Sequence, residues 1–340
     1  MKVALPTRPI GPFEVSQIGL GCMNLSHAYD VPPSEEQGAR VLNRALDLGC
    51  TLIDTAALYG EGANERLIAK AIGHRRHEFT LASKCVLDLV DGKRVLDGRP
   101  ETIKGSCERS LKKLNTDVID LYYLHRIDRS VPIEDSVGAL KDLVDEGKIR
   151  TIGLSEMGAE TIERAHKVHP VAAVQSEYCP TVRNPEVAVL DACERLGIAF
   201  VAFSPVGRGM LAGAIKADDY KPGDIRLAMP RFLEPQLSRN LKLVDRFEAV
   251  AREAGITPAQ LSLLWVLAQR PNIIAIPGTR SLDHLGENMA AATMSIDPTI
   301  LAEVDAIFPA NALEGSRYTA ALQKQIDTEL LPNEELAAAA

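Results

Sequence analysis

Short, almost wholly apolar runs alternate along the chain with longer segments whose apolar residues recur every three or four positions. The apolar runs read as strands at 18–23, 51–56, 79–84, 118–125, 150–155, 172–177, 198–204 and 272–278. Runs without polar alternation are expected of parallel strands covered on both faces. The amphipathic segments predict helices over 34–49, 63–73, 100–115, 131–148, 159–168, 184–197, 238–255, 257–270 and 281–291. Their ends carry matching punctuation: Ser34 as a cap, Gly49 and Gly73 as stops, and Pro100 in a first turn. Eight strand-then-helix units in about 290 residues predict an α/β fold, a (β/α)8 barrel of the TIM type. A doubly wound open sheet is the second choice. Such a sheet binds dinucleotides through G-x-G-x-x-G after an early strand. The nearest run here, Gly19-Leu-Gly21-Cys-Met-Asn24, lacks the third glycine and leads into no helix.

The first 17 residues read as a β-hairpin turning near Pro9–Gly11 and closing the N-terminal end of the barrel. Two connections are long: 85–99, with a hairpin turn at Asp91-Gly92, and 205–237, rich in Gly and Pro. Both follow strands, which places them on the C-terminal face, where barrel active sites are built. The chain is read as one domain over 1–340, with a core of about 13–310 and a tail from 311.

Composition narrows the function classes. The chain is 46% hydrophobic and 25% charged, ordinary for a globular protein. A net charge of −8 with no basic run speaks against nucleic-acid and anionic-membrane partners. The N-terminal residues lack a signal-peptide pattern, and no apolar run reaches membrane-spanning length. Six scattered cysteines, none in a C-x-x-C pair, fit a reducing cytoplasm. Cys22 and Cys85, near the expected mouth, read as buried apolar residues. No H-x-H after a strand and no H-E-x-x-H occurs, so no metal is expected.

The strand ends bring the chemistry together. Asp54 ends the second strand, Tyr59 lies on its loop, Lys84 ends the third and His125 the fourth. A lysine closing the apolar run FTLAS needs a counter-charge, and Asp54 is the obvious one. A lysine beside a phenol favours the phenolate, so Tyr59 is expected to have a lowered pKa and to act as a general acid. His125 is placed to hold a substrate oxygen. Arg126 is expected to pair with Asp128 or a neighbour.

These residues stand in the runs IDTAALYG, LASK and LYYLH. With IGLGCM, EGKIRTIGLSE, VQSEY, FSPVGRGML and IPGTR…EN, they resemble the aldo-keto reductases, in that family's order from about residue 13 to 292. The resemblance implies a barrel that binds NADPH/NADP+ at its C-terminal face without a Rossmann motif. It further implies reversible hydride transfer between the nicotinamide and an aldehyde or ketone, with Tyr59 donating the proton. By the same resemblance Asp54, Tyr59, Lys84 and His125 are the catalytic tetrad, and Gly21, Met23 and Asp54 lie against the cofactor. Ser155 and Gln175 match the carboxamide ligands, with Glu156 where Asn is usual. Phe203 matches the ring that stacks on the nicotinamide. Ser204, Val206, Arg208 and Leu211 match the pyrophosphate loop. Gly278, Thr279, Arg280, His284, Glu287 and Asn288 match the segment at the adenosine and its 2′-phosphate. Glycine at 278 and histidine at 284 replace a usual lysine and arginine, leaving Arg280 as the main cation for that phosphate. The substrate pocket is expected from Met23 to Tyr29, Leu58, both long loops and the segment after Pro309. The expectation is a cytoplasmic carbonyl reductase or alcohol dehydrogenase acting on a small molecule. A cofactor-binding regulatory subunit on the same barrel is the alternative. Substrate and oligomeric state stay open.

Overall fold

The computed structural model describes residues 4–334 and 336, except His27, Asp30, Asp91, Ala214 and 216–219. A hairpin comes first, β1 (Thr7–Ile10) antiparallel to β2 (Phe13–Ser16). It turns at Gly11, whose φ of +52° suits glycine. The barrel strands follow: β3 (Leu20–Gly21), β4 (Leu52–Asp54) and β5 (Thr80–Cys85). A second antiparallel hairpin, β6 (Leu87–Val90) and β7 (Lys93–Leu96), rises from the end of β5. Then come β8 (Ile119–Leu124), β9 (Ile149–Ser155), β10 (Val171–Glu177), β11 (Ala199–Phe203) and β12 (Ile273–Ile276).

Among the described residues, eight strands form one sheet in the order β3-β4-β5-β8-β9-β10-β11-β12, every neighbouring pair parallel. Its edges meet. Gly19 N donates to Ala275 O at 2.9 Å, Ala275 N to Gln17 O at 3.0 Å, and Gly21 N to Pro277 O at 3.2 Å. Helices α1 (Glu35–Asp47), α2 (Ala63–Ile72), α3 (Pro100–Leu114), α4 (Ile133–Asp145), α5 (Ala159–Val168) and α6 (Val189–Leu196) alternate with the strands. Next come α7 (Gln236–Glu253), α8 (Pro258–Ala268), α9 (Leu282–Ala290), α10 (Pro298–Ile307) and α11 (Ala320–Gln323). Ser34 caps α1 by accepting from Gln37 N, and Thr257 with Gln260 forms a capping box on α8.

The alternation of side chains along each strand builds two cores. Leu121, Tyr123, Ala199 and Val201 point into the barrel, where Ile10 and Val15 of the first hairpin plug the N-terminal end. Tyr122, Leu124, Phe200 and Ala202 point outward against the helices. All six cysteines are buried and unpaired, Cys22 and Cys85 within the outer core.

One expectation is corrected. The helix read over 184–197 divides into a 3₁₀ turn, Asn184–Glu186, and α6, because Ala188 between them has φ −155°. Beyond 291 the chain forms α10 and α11, which lie past the eight-unit pattern. Among the described residues no helix is long and apolar enough to cross a membrane.

Candidate active site

The cluster at the C-terminal mouth starts from Lys84. Its ammonium is fully buried and donates to Asp54 Oδ1 at 2.5 Å, Thr55 O at 2.9 Å and the Tyr59 hydroxyl at 3.3 Å. An ammonium taken from water costs several kcal/mol unless paired and hydrogen-bonded; here all three protons have acceptors. Burial pulls the Lys84 pKa down, but Asp54 and Tyr59 together outweigh it, so the net direction is up. Asp54 Oδ2 accepts from Gln175 Nε2 at 2.8 Å, which ties β4 to β10 across the mouth.

Tyr59 is delivered by a tight turn, Tyr59–Gly62, in which Gly60, Glu61 and Gly62 all have positive φ. A side chain at Gly60 would meet Ser26 O at 2.8 Å, so only glycine lets the turn lie this close to the loop after β3. Asn64, in the first turn of α2, fastens the arrangement. It donates to Cys22 O at 2.8 Å and Ser26 Oγ at 2.9 Å, and accepts from Thr55 Oγ1 at 2.6 Å. The Tyr59 ring meets the His125 ring edge-on, centroids 5.8 Å apart.

The expected lowering of the Tyr59 pKa is not what the site produces. Burial raises it more than Lys84 lowers it, and the net direction is up. The lysine limits a desolvation cost here; it does not create a low-pKa phenol.

Tyr59 and His125 open into a cavity of about 410 Å³, within the usual size of small-molecule sites. Its wall includes Gly21, Met23, Asp54, Ser155, Gln175, Phe203, Ser204 and Val206 near the tetrad, and Gly278, Thr279, Arg280, His284, Glu287 and Asn288 further along. A family model described as "Aldo/keto reductase family" matches residues 17–308. This chain belongs to the aldo/keto reductase family. Its relatives include the aldo-keto reductase yakc [NADP(+)] of Schizosaccharomyces pombe, 42% identical over 340 residues, covering 97% of this chain and 100% of the relative. A probable aldo-keto reductase of Glycine max is 40% identical over 313 residues, 90% of this chain and 89% of its own. Among solved structures, the glycerol dehydrogenase of Gluconobacter oxydans aligns with a TM-score of 0.82 at 28% identity, covering 98% of this chain and 100% of that one. An aldo/keto reductase of Klebsiella pneumoniae in complex with NADP and acetate aligns at 0.70 and 27% identity, covering 90% and 96%.

As in any aldo/keto reductase barrel, residues far apart in sequence share one rim, and not every expected contact is made by the expected atom. The turn Gly207–Gly209 folds the chain back, and the side chain of Leu211 is fully buried in the outer core. Arg208 lies in the cavity wall, but its guanidinium grips Glu177 with two bonds, 2.8 and 2.9 Å, and donates to the Tyr318 hydroxyl. Arg126 does not pair with Asp128, whose carboxylate accepts from Gly98 N and Ser130. Instead Arg126 lines the cavity and donates to His125 O at 2.8 Å and Ser155 Oγ at 3.3 Å. Glu156, where asparagine was usual, is buried away from the cavity and bonds Arg317 at 3.0 Å and the Thr328 hydroxyl at 2.9 Å. The rest of the wall draws on Ala28, Tyr29, Leu58, Arg94, Met229, Tyr318, Leu322 and Ile326. These come from the expected segments, including the one after Pro309. The Asp91 turn of the β6–β7 hairpin lies outside the described residues. Sequence reasoning missed Asn64 and Arg94. The only sequence signal for Asn64 is its place just after Gly60 and Gly62.

Proposed function

We propose that this protein is an NADP(H)-dependent reductase of aldehydes or ketones, with Tyr59 as proton donor. The observation that carries the reading is one connected set: Tyr59, Lys84, Asp54 and Gln175 bonded in series, with the Tyr59 hydroxyl and His125 facing one cavity. The residues fit the cofactor. Ser155 and Gln175 line the cavity together with the half-buried Phe203. At the far end Arg280 precedes the Ser281-capped start of α9, where helix N–H groups favour an anion. Asn24 Oδ1 is buried at this wall without a hydrogen-bond partner among the described residues.

Bound NADP(H) supplies or takes up the hydride. Tyr59 gives its proton to the substrate oxygen during reduction and takes it back during oxidation. Lys84 stabilises the phenolate left behind, and Asp54 keeps Lys84 charged and aimed. His125, edge-on to Tyr59, hydrogen-bonds the same oxygen and sets the approach of the carbonyl. S. pombe yakc carries NADP(+) in its name, which supports the choice of cofactor.

The test is steady NADPH oxidation with a panel of aldehydes and ketones, repeated with Tyr59→Phe. General acid catalysis is worth ~10²–10⁴ in rate, so turnover should fall by that order while NADPH affinity stays near wild type. A Tyr59→Phe protein that reduces ketones at the wild-type rate, or a wild type that turns over none of the panel, defeats the proposal.

A further inference from the structure

Three arginines of the cavity wall, Arg94, Arg126 and Arg280, have no carboxylate partner among the described residues, although the chain as a whole carries a net charge of −8; Arg94 and Arg126 are the two at the Tyr59 end. Arg94 stands on β7 directly opposite Leu89 of β6, and Leu96 stands opposite Leu87. Opposed residues share a face of a hairpin, as do alternate residues along a strand. Leu87, Leu89, Arg94 and Leu96 therefore lie on one side. That side packs against Tyr59 and Leu58 through its three leucines, so Arg94 is turned toward the tyrosine. The opposite face carries Lys93, Val95 and Asp88, whose carboxylate lies 3.7 Å from Arg109.

Arg126 approaches the same mouth from the end of β8. One nitrogen, Nη1, is used on His125 O and Ser155 Oγ. Its Nε and Nη2, and the whole Arg94 guanidinium, make no hydrogen bond or ion pair among the described residues. The other charged groups of the wall are occupied. Asp54 holds Lys84 and Gln175, and Glu287 accepts from Thr257. Arg208 has Glu177 and Arg226 has Asp224, while Arg280 donates to Val31 O at the far end. Arg94 is exposed at the rim of the cavity; partial desolvation there, and then the charge of Arg126, lower its pKa, so the two cations sense each other. Among the described residues no carboxylate is bonded to either guanidinium, and both line the same cavity beside an apolar wall.

We propose that Arg94 and Arg126 form a carboxylate-binding site at the substrate mouth, so that preferred substrates are carbonyl compounds carrying a carboxylate at the end away from the reacting carbon. A carboxylate accepts paired hydrogen bonds from the planar fork of an arginine. Met23 and Leu58 offer an apolar wall to the body of such a molecule. This deepens the carbonyl-reductase reading and rests on it.

The experiment compares 4-carboxybenzaldehyde with its neutral methyl ester, with NADPH at low salt, in wild type, Arg94→Met and Arg94→Lys. Charge-assisted pairing is expected to be worth about tenfold to a hundredfold. Wild type should favour the carboxylate by that factor in kcat/KM, mostly through KM. Arg94→Met should erase the preference by lowering kcat/KM for the carboxylate far more than for the ester, with the NADPH Kd held, and Arg94→Lys should restore part of it. Equal use of both aldehydes by wild type, or equal losses for both in Arg94→Met, overturns the proposal. If neither aldehyde is turned over, it is the reductase reading that has failed. The arginine pair is then judged by calorimetry of benzoate against benzamide on the NADP+-loaded protein. Tighter benzoate binding lost in Arg94→Met supports the pair, and equal binding of the two compounds overturns it.

Discussion

At the scale of single residues, the site is organised by Lys84, a full charge with no access to water. Lys84→Met should cost at least as much turnover as Tyr59→Phe. It should also lower stability by about 3–5 kcal/mol, because it leaves Asp54 buried and unpaired; urea midpoints and single-turnover rates measure the two effects. Tyr59 is raised by burial above its ordinary value of about 10. Oxidation of an alcohol needs the deprotonated phenol as base, so its kcat/KM should climb through the alkaline range without levelling below about pH 10. Reduction, which needs the proton, should stay flat through neutrality. A plateau in oxidation near pH 7, with chemistry rate-limiting, counts against this role. Arg280→Ala should weaken NADPH by roughly 1.5–3 kcal/mol and hardly touch NADH, a difference that fluorescence titration of both cofactors resolves. The tetrad is legible in the sequence because each strand-end member closes an apolar run that would not otherwise tolerate a titratable group. Asn64 and Arg94 are not, since one asparagine in a first turn, or one arginine in a hairpin, looks like any solvent-facing residue until distant segments meet it.

At the scale of elements, the C-terminal segment is part of the site. Arg317 and Thr328 converge on Glu156, and Asp327 N donates to Glu156 O at 2.8 Å. The same stretch gives Tyr318, Leu322, Gln325 and Ile326 to the cavity wall. Arg317→Met removes half of a fully buried pair and should cost about 3–5 kcal/mol. It should also raise the KM for carbonyl substrate while the NADPH Kd holds, with faster proteolysis of residues after 309. Unchanged KM and protease resistance would mean that the segment docks by its apolar side chains alone. The eight barrel units were readable because apolar runs and amphipathic stretches alternate. This segment was not, since it is short-ranged in pattern and ordered by buried ion pairs. For α10 the local signals exist, Asp297 as cap and Pro298 in the first turn, but the barrel pattern is already complete without it.

At the scale of the whole molecule, Glu177 joins the sheet to the rim. It ends β10 and carries Arg208 and Tyr318. Burial pushes its carboxyl up, but Arg208, Arg317 and Arg231 prevail and hold it at about 2. A carboxylate depressed in the fold stabilises above its unfolded pKa, near 4.5, and that stability is lost as pH falls from there toward 2. The shift corresponds to on the order of 3 kcal/mol at neutral pH. Urea midpoints should therefore drop between pH 4.5 and 2. The drop should be shallower in Glu177→Gln, which has no proton to gain there and starts from a lower value because Arg208 is left unmatched. Identical acid profiles for the two proteins would remove Glu177 from this account.

The six sealed thiols have a consequence for how the barrel comes apart. Burial raises the pKa of each, to about 11 for Cys50 and about 12 for Cys107 and Cys193. A thiol reacts as its thiolate, so a folded molecule is nearly inert toward alkylating reagents, and labelling times the opening of whatever wall covers each sulfur. Cys107 on α3 and Cys193 on α6 time the lifting of single outer helices. Cys22 and Cys85, at the ends of β3 and β5, time the separation of the helices from the sheet at those strands. The chain thus carries six built-in clocks, spread around the single layer between its sheet and its helices.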